Sequence, residues 1–479
     1  MEQCSFAAEH PTTHGWTMQR PSEHDAWNAR GRLTAATLGL GGFLANFDVT
    51  SVVVVMSAIG TDLGIRVDDL AWIIDAYSLA FTATLLVAGA LADRFGRRRL
   101  LVIGNAWFLA ASLACGLACN GPLFLAARAA QGCGAAFLVT GTFASLATAF
   151  PAPDTRARAF GAVGVVSGVA MALGPSLGGI IGSGLGWRWI FLANLPFCVL
   201  IGLAVPRLVA ETRDSTDKPL DWLGVAILTL ALGLAIEAIL EARHSLVRMA
   251  IGLAAGAGLA ALFAVRQRRQ PRPMLDPAVF ASRPMAGVAA LLLAVSAGYW
   301  AVLVYLPLFL GAGFGWTAEA TGLGLLAATL PMVVIPPFGG RLVSRLGWRR
   351  LFASALTLIA SGGCALAAAA VTEPKVPALA WAFGGMVLIG AGAALSHPQL
   401  SGAVLALAPP EAGGMASAVT VIARQAGFAM GVAALGALTP SSLNAAGFVW
   451  PFGFAAAASA CGVLACLLLP ASSKRGSGA

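Results

Sequence analysis

Five ionisable side chains stand inside long apolar runs of this 479-residue sequence: Asp48, Asp75, Arg128, Glu237 and Arg424. A charge at the centre of a bilayer costs at least about 2.5–3.5 kcal/mol on insertion scales, so charges kept there are candidates for function. A carboxyl group in such surroundings can load and release a proton when desolvation, which favours the neutral acid, is balanced by a nearby cation, which favours the anion. Asp48 and Arg128 are therefore candidates for proton coupling. Asp75, in Trp72-Ile-Ile-Asp75-Ala-Tyr77, is a third; it could be a second proton site, a contact for a cationic substrate or a solvated helix-end acid. Glu237 and Glu241 share a helix face at i, i+4 spacing and read as interfacial or lipid-headgroup contacts. Arg424 needs a hydrogen-bonded partner that sequence alone does not name, and the adjacent Gln425 points to another face. His397, before Pro398, reads as a polar residue at a kink.

The elements that must position these side chains follow from composition. The chain is 58% hydrophobic and 11% charged, with mean hydropathy +0.82, whereas a soluble domain is about a quarter charged. A soluble globule is excluded. The apolar runs are continuous and about twice the ten-residue alternating segments of a membrane barrel, so an all-α polytopic membrane protein is expected. Net charge is +9, yet the basic residues sit in short clusters between spans, as an orientation signal does, which argues against nucleic acid. The eight cysteines form no CxxC and read as packing residues. No GxxxxGK[ST], HExxH or nucleophile elbow is present, which disfavours direct ATP coupling and an intramembrane enzyme.

Cutting at charge clusters and Pro/Gly turns gives fourteen spans. Most Lys and Arg then fall on one side, and the other receives only Arg66, Arg188, Arg243, Arg248 and Lys375. The side richer in Lys and Arg is the cytoplasmic one, so both termini are expected there. Asp48 lies about 22 Å into span 1 (33–58) and Arg128 about 8 Å into span 4 (123–147) from the opposite side. A repeat spans the chain: Gly89-Ala-Leu-Ala-Asp93-Arg94-Phe-Gly96-Arg97-Arg98-Arg99 returns as Gly340-Arg-Leu-Val-Ser344-Arg345-Leu-Gly347-Trp348-Arg349-Arg350, and Gly132-Cys-Gly134 as Gly390-Ala-Gly392. The expected organisation is a tail at 1–32, a six-helix lobe at 33–208, a linker with two inserted helices at 209–284, a second six-helix lobe at 285–470 and a tail at 471–479. Arg128 aligns with Met386 and Asp48 with Tyr299, so the scaffold itself does not need these charges; a structural ion pair is the alternative.

These residues resemble the major facilitator superfamily, and within it the fourteen-helix drug:proton antiporters of the EmrB/QacA type. Five stretches carry the resemblance: Asn46-Phe-Asp48-Val-Thr50; Gly89 to Arg99; Arg128-Ala-Ala-Gln131-Gly132-Cys-Gly134; Gly168 with Gly174-Pro175-Ser-Leu-Gly178-Gly179, followed by Trp187 to Pro196; and Arg424-Gln425-Ala-Gly427. The resemblance implies that spans 1 and 4 line a common cavity, so that Asp48 and Arg128 approach each other. It implies a gating loop at Gly89, Asp93, Arg94, Gly96 and Arg97, with Asp93 set against the start of span 13 near Gly413 to Ser417 and Arg97 pairing with an acid such as Asp154. It associates the span 5 glycine and proline pattern with antiporters. Relatives that move divalent cations carry an acid within span 10; here Glu319 stands only at its end, which disfavours such cargo. The implied function is proton-driven export of amphipathic small molecules through the cytoplasmic membrane. No cofactor beyond the proton gradient is expected, and the implied partners are a small-molecule substrate, H⁺ and the bilayer, for a monomer that works alone or with accessory export proteins. A narrow-specificity exporter of one metabolite, antibiotic or siderophore is the nearest alternative, and a solute:proton symporter the next.

Overall fold

Long apolar segments must satisfy their backbone groups internally, and among the described residues they do so only as helices. The computed structural model describes residues 27–212, 221–241, 245–270, 282–373, 375–407, 413–440 and 444–469. In chain order the helices are α1 Ala29–Leu63, α2 Trp72–Phe95, α3 Arg97–Leu117, α4 Gly121–Ala149, α5 Pro153–Gly184, α6 Arg188–Leu192, α7 Asn194–Leu208, α8 Trp222–Leu240 and α9 Leu246–Arg269. They continue as α10 Arg283–Val295, α11 Ala301–Phe314, α12 Ala318–Gly324, α13 Leu326–Thr329, α14 Pro331–Val334, α15 Pro336–Val371, α16 Lys375–Leu407, α17 Gly413–Leu438 and α18 Val449–Ala465. Each of the fourteen expected windows holds helix, and eleven helices among the described residues are long and apolar enough to cross a membrane. Side-chain caps set several starts: Asn28 accepts from Gly31 N, Asn120 from Leu123 N and Ser282 from Met285 N, each meeting an amide left unpaired in the first turn. Helix α1 begins at Ala29, four residues ahead of the expected start of span 1 at 33.

Three windows, spans 6, 9 and 10, are broken where sequence periodicity is blind, the last dividing into α12, α13 and α14. Span 6 divides at Ala193 into α6 and α7; Pro196 cannot donate an amide there. Span 9 is α10 and α11 joined by a π-helical turn, Ser296–Trp300, an insertion common at functional positions. The α15 segment bends at Gly347, whose φ of 72° matches in sign the 109° of Gly96. Both are the repeat's turn glycines, and both occupy conformations that only glycine adopts cheaply.

The repeat is visible in packing. A Cβ on Gly132 would meet the Tyr77 carbonyl, and one on Gly390 would meet that of Ala328; Gly134 abuts Phe108, while its counterpart Gly392 abuts Ile359. Each glycine pair thus lets α4 or α16 approach matching backbone in its own half. Helices α8 and α9 pack mainly on each other, with α8 also touching α2 and α17. The apolar core is not uniform. One cluster runs continuously from Val52–Ile59, Ile190 and Phe191 into α10, α11, α15 and α18. A separate cluster, around Leu38, Leu101, Leu138, Val163 and Val205, fills the other end of the first half. The two halves of the chain are therefore fused at one end of the bundle and keep separate cores at the other.

Candidate functional site

Asp48 and Arg128 meet, as expected. Arg128 Nη1 donates to Asp48 Oδ2 at 2.6 Å and to Gln131 Oε1 at 2.7 Å, and its Nε donates to the Ile73 carbonyl at 3.0 Å. Gln131 Nε2 donates to Asp48 Oδ1 and to Ser112 Oγ, both at 2.8 Å, and Asn194 Nδ2 reaches Asp48 Oδ1 at 3.0 Å. The guanidinium carbon lies 4.6 Å from the Tyr77 ring centre, a cation–π contact. Asp48, Ser112, Arg128, Gln131 and Asn194 are all fully or almost fully buried. Five helices, α1, α2, α3, α4 and α7, contribute to this knot. Such a pair keeps both charges only because its hydrogen bonds replace water. In this state Asp48 is enclosed within the first half of the molecule, and the ion pair of the alternative reading is what the geometry holds.

Asp75 is placed differently. Ile73 and Tyr77 are four residues apart and face Arg128, whereas Asp75 shares the opposite face of α2 with Trp72 and Leu79. That face packs on Ile236 and Ile239 of α8 and on Ala429, Met430 and Ala433 of α17. Asp75 is fully buried, and neither carboxyl oxygen has a hydrogen-bond partner among the described residues. A solvated helix-end acid, one of the three readings of this position, is excluded by that burial.

The glycine and proline motif of α5 sits on two seams. Cβ atoms on Gly174 and Gly178 would strike Thr50 and Ser51 of α1; one on Gly179 would strike the Ala318 carbonyl, and one on Gly322 the carbonyl of Pro175. Ser176 Oγ donates to the Gly322 carbonyl at 2.8 Å, and Thr329 Oγ1 donates to that of Ala172 at 2.8 Å. The half of α5 nearer Gly184 is thus locked to α12 and α13. Gly161, Gly164 and Gly168 in its other half face open space. Small residues spaced as Gly164 and Gly168 are can bring helices close, but among the described residues no helix packs on them here.

The gating loop holds a partner that the sequence did not name. The Asp93 and Asp154 side chains and the packing of Gly413–Ser417 lie outside the described residues, so the contacts assigned to them stay expectations. Arg94 is exposed, and Gly89 makes no close approach. Glu211, which sequence reasoning missed, caps α3: the Arg98 and Arg99 amides donate to its two carboxyl oxygens, each at 3.1 Å, and the Arg97 amide donates to Thr212 O at 3.0 Å. A carboxylate at a helix N-terminus is favourable, and a Cβ on Gly96 would strike the Glu211 carboxyl, so glycine leaves the space this acid fills. Asn194 was also missed as a ligand of Asp48; its signal was its place two residues before Pro196, at the break between α6 and α7.

In the second half, Arg424 finds a partner: its Nη1 lies 3.4 Å from His397 Nε2, while Ser296 Oγ on the π turn donates to its carbonyl. Gln425 is half-buried and shares no contact with this pair. Glu241 pairs with Arg248 at 3.0 Å, and Glu237 is exposed.

Comparison with known proteins follows the same lines. A computed likeness relates the chain to a peptide transporter solved in complex with sulfate, at TM-score 0.66 and 17% identity over 91% of this chain and 95% of that one. It is 31% identical over 416 residues to Multidrug resistance protein Stp of Mycobacterium tuberculosis, covering 86% of this chain and 76% of that protein. It is 33% identical over 410 residues to Puromycin resistance protein pur8 of Streptomyces alboniger, covering 84% and 80%. The family model for the Major Facilitator Superfamily matches residues 38–432 and again 288–478. Sequence, helical architecture and internal repeat agree, and the chain is a multi-pass membrane transporter belonging to the Major Facilitator Superfamily.

Proposed function

We propose that the protein is a proton-driven antiporter that exports amphipathic small molecules by alternating access, with fourteen spans of the EmrB/QacA type, lobes at 33–208 and 285–470, and both termini in the cytoplasm. The observation that carries the coupling is Asp75, a buried and unpaired carboxyl on the seam between α2, α8 and α17. An ionised carboxylate without a partner is expensive in such a place, so the closed seam accommodates the acid and not its anion. When the halves move and water reaches α2, the proton can leave, and cargo loading is tied to that release. The Asp48–Arg128 pair, sealed by Gln131 and Asn194, holds its own charges fixed meanwhile and couples α1 to α4. Names of relatives support export of drugs; the resistance protein for puromycin also supports a narrower range as the second reading.

With the termini in the cytoplasm, the locked end of α5 faces outward and the open glycines face inward, so this is the inward-facing form. The test is uptake of a fluorescent amphiphile with a cationic body and one carboxylate by everted membrane vesicles under an imposed proton gradient. Wild type should accumulate it, uncoupler should abolish this, and Asp75→Asn should lose gradient-driven uptake while still binding the dye. Uptake that persists with uncoupler removes proton drive; full uptake by Asp75→Asn removes this residue from the coupling.

A further inference from the structure

The second half of the chain carries an interior positive charge with no counter-charge of its own. Between 285 and 470 the acids are Glu319, Glu373 and Glu411; they fall in the first turn of α12, beyond the end of α15 and ahead of α17. Arg424 sits well inside α17, and the ion pairs among the described residues do not include it. Its partner is His397 at 3.4 Å. A guanidinium only donates, so this imidazole nitrogen must accept, and the ring supplies no negative charge. Trp300, on the π turn, stands edge-on to the same imidazole with ring centres 5.5 Å apart, and its indole N–H is buried without an acceptor. Arg424 and His397 are each partly accessible, on helices that pack against one another and against the π turn. The repeat supplies a control. The positions matching Trp300, His397 and Arg424 in the first half are Val49, Val139 and Val166, so the fold is built without polar groups there.

We infer that Arg424, His397 and Trp300 form a subsite for the anionic group, such as a carboxylate, of an exported amphiphile, which brings the counter-charge that this half lacks. The inference deepens the proposed export function and rests on it only in taking this cluster to face the cavity between the halves where cargo binds. Cargo with an apolar or cationic body and one anionic end would fit the whole cavity; a simple lipophilic cation would meet like charge at Arg424.

The experiment is equilibrium binding by fluorescence polarisation, with the purified full-length protein in nanodiscs of electrically neutral lipid and no gradient, using a rhodamine bearing a free carboxylate and its methyl ester as paired probes. Wild type should bind the acid more tightly than the ester. Arg424→Gln should weaken the acid by about tenfold, the worth of one charge-assisted hydrogen bond, and leave the ester within about twofold. Arg424→Lys should keep the preference. Trp300→Phe, which retains the ring but removes the N–H, should weaken the acid selectively and serves if Arg424→Gln does not fold. Equal or tighter binding of the ester by wild type, absence of binding by either probe, or parallel loss of both in the variants would overturn the subsite. Because binding needs no gradient, failure of proton coupling would leave this result standing, and failure here would leave the coupling test untouched.

Discussion

At the scale of single residues, the account rests on how charges are neutralised where water is absent. Asp48 accepts hydrogen bonds from Arg128, Gln131 and Asn194, so removing one partner leaves the others aimed at an uncompensated charge. Arg128→Met, which installs the residue that the repeat places at 386, should destabilise the protein by about 3–5 kcal/mol. Asp48→Asn combined with Arg128→Met should recover a large part of that loss. Thermal unfolding of the single and double variants in detergent measures the coupling, and simple additivity would show that the pair contributes nothing as a pair. Asp48 and Arg128 were legible as candidates because a charge in an apolar run is costly and conspicuous, while their meeting was implied by the family resemblance. Asn194, a neutral amide, and Glu211, an acid in a loop, carry no such cost, and nothing in their residue type separated them from ordinary polar positions. Asp75 was legible as a charge but not as an unpaired one, since pairing depends on which face of α2 turns toward α17.

Helices and their ends decide how these residues are held. Asp221 accepts from Gly224 N at 2.8 Å, capping α8, and binds Arg266 Nη2 at 2.8 Å together with Gln267 and Gln270, all at the end of α9. Burial alone would raise its carboxyl above the ordinary carboxylate range, but the hydrogen bonds from Arg266, Gly224 and Gln270 outweigh that and hold it below. A depressed folded value means that the stabilisation is present in full above about pH 4, the unfolded value, and fades as pH falls further through the folded one. Asp221→Ala should therefore cost about 1 kcal/mol or more at neutral pH, with the difference from wild type shrinking below pH 4; a gap that stays constant with pH would contradict the assignment. On α5, Gly322→Ala would press a methyl onto the Pro175 carbonyl and loosen the locked end, whereas Gly168→Ala meets open space. With Val54→Cys on a cysteine-free background, a membrane-impermeant maleimide applied from the Gly184 end of α5 should label the first variant faster than its parent and the second at the parental rate. Helix positions were readable in sequence because length and apolarity fix them. The breaks at Ala193 and the π turn were not, because tertiary packing places them without changing hydropathy, whereas the bend at Gly347 was marked by its repeat partner Gly96.

For the whole molecule, the two cores explain the state. The halves share one apolar cluster at the Val52 and Ile190 end, while the first half keeps its own around Leu38 and Val205 at the other. Alternating access then amounts to exchanging which end is fused, with α5 and α12 as the parting line. Among the described residues, the second half supplies no acid in its interior, and the first supplies two, one locked by Arg128 and one without a partner. On the proposed reading, that division gives proton handling to the first half and recognition of an anionic cargo group to the second. The two-lobed organisation followed from the repeated loop and glycine pairs, but the sequence held no sign of which end would be closed.

The central claim is that cargo and proton exclude each other at the seam containing Asp75. Its most direct measurement is proton release when a transported amphiphile is added to the purified protein in weakly buffered detergent near pH 7, followed with a pH indicator. Wild type should release protons in proportion to bound cargo and Asp75→Asn should bind without release, whereas binding with no proton release by wild type, or equal release by the variant, would contradict the account.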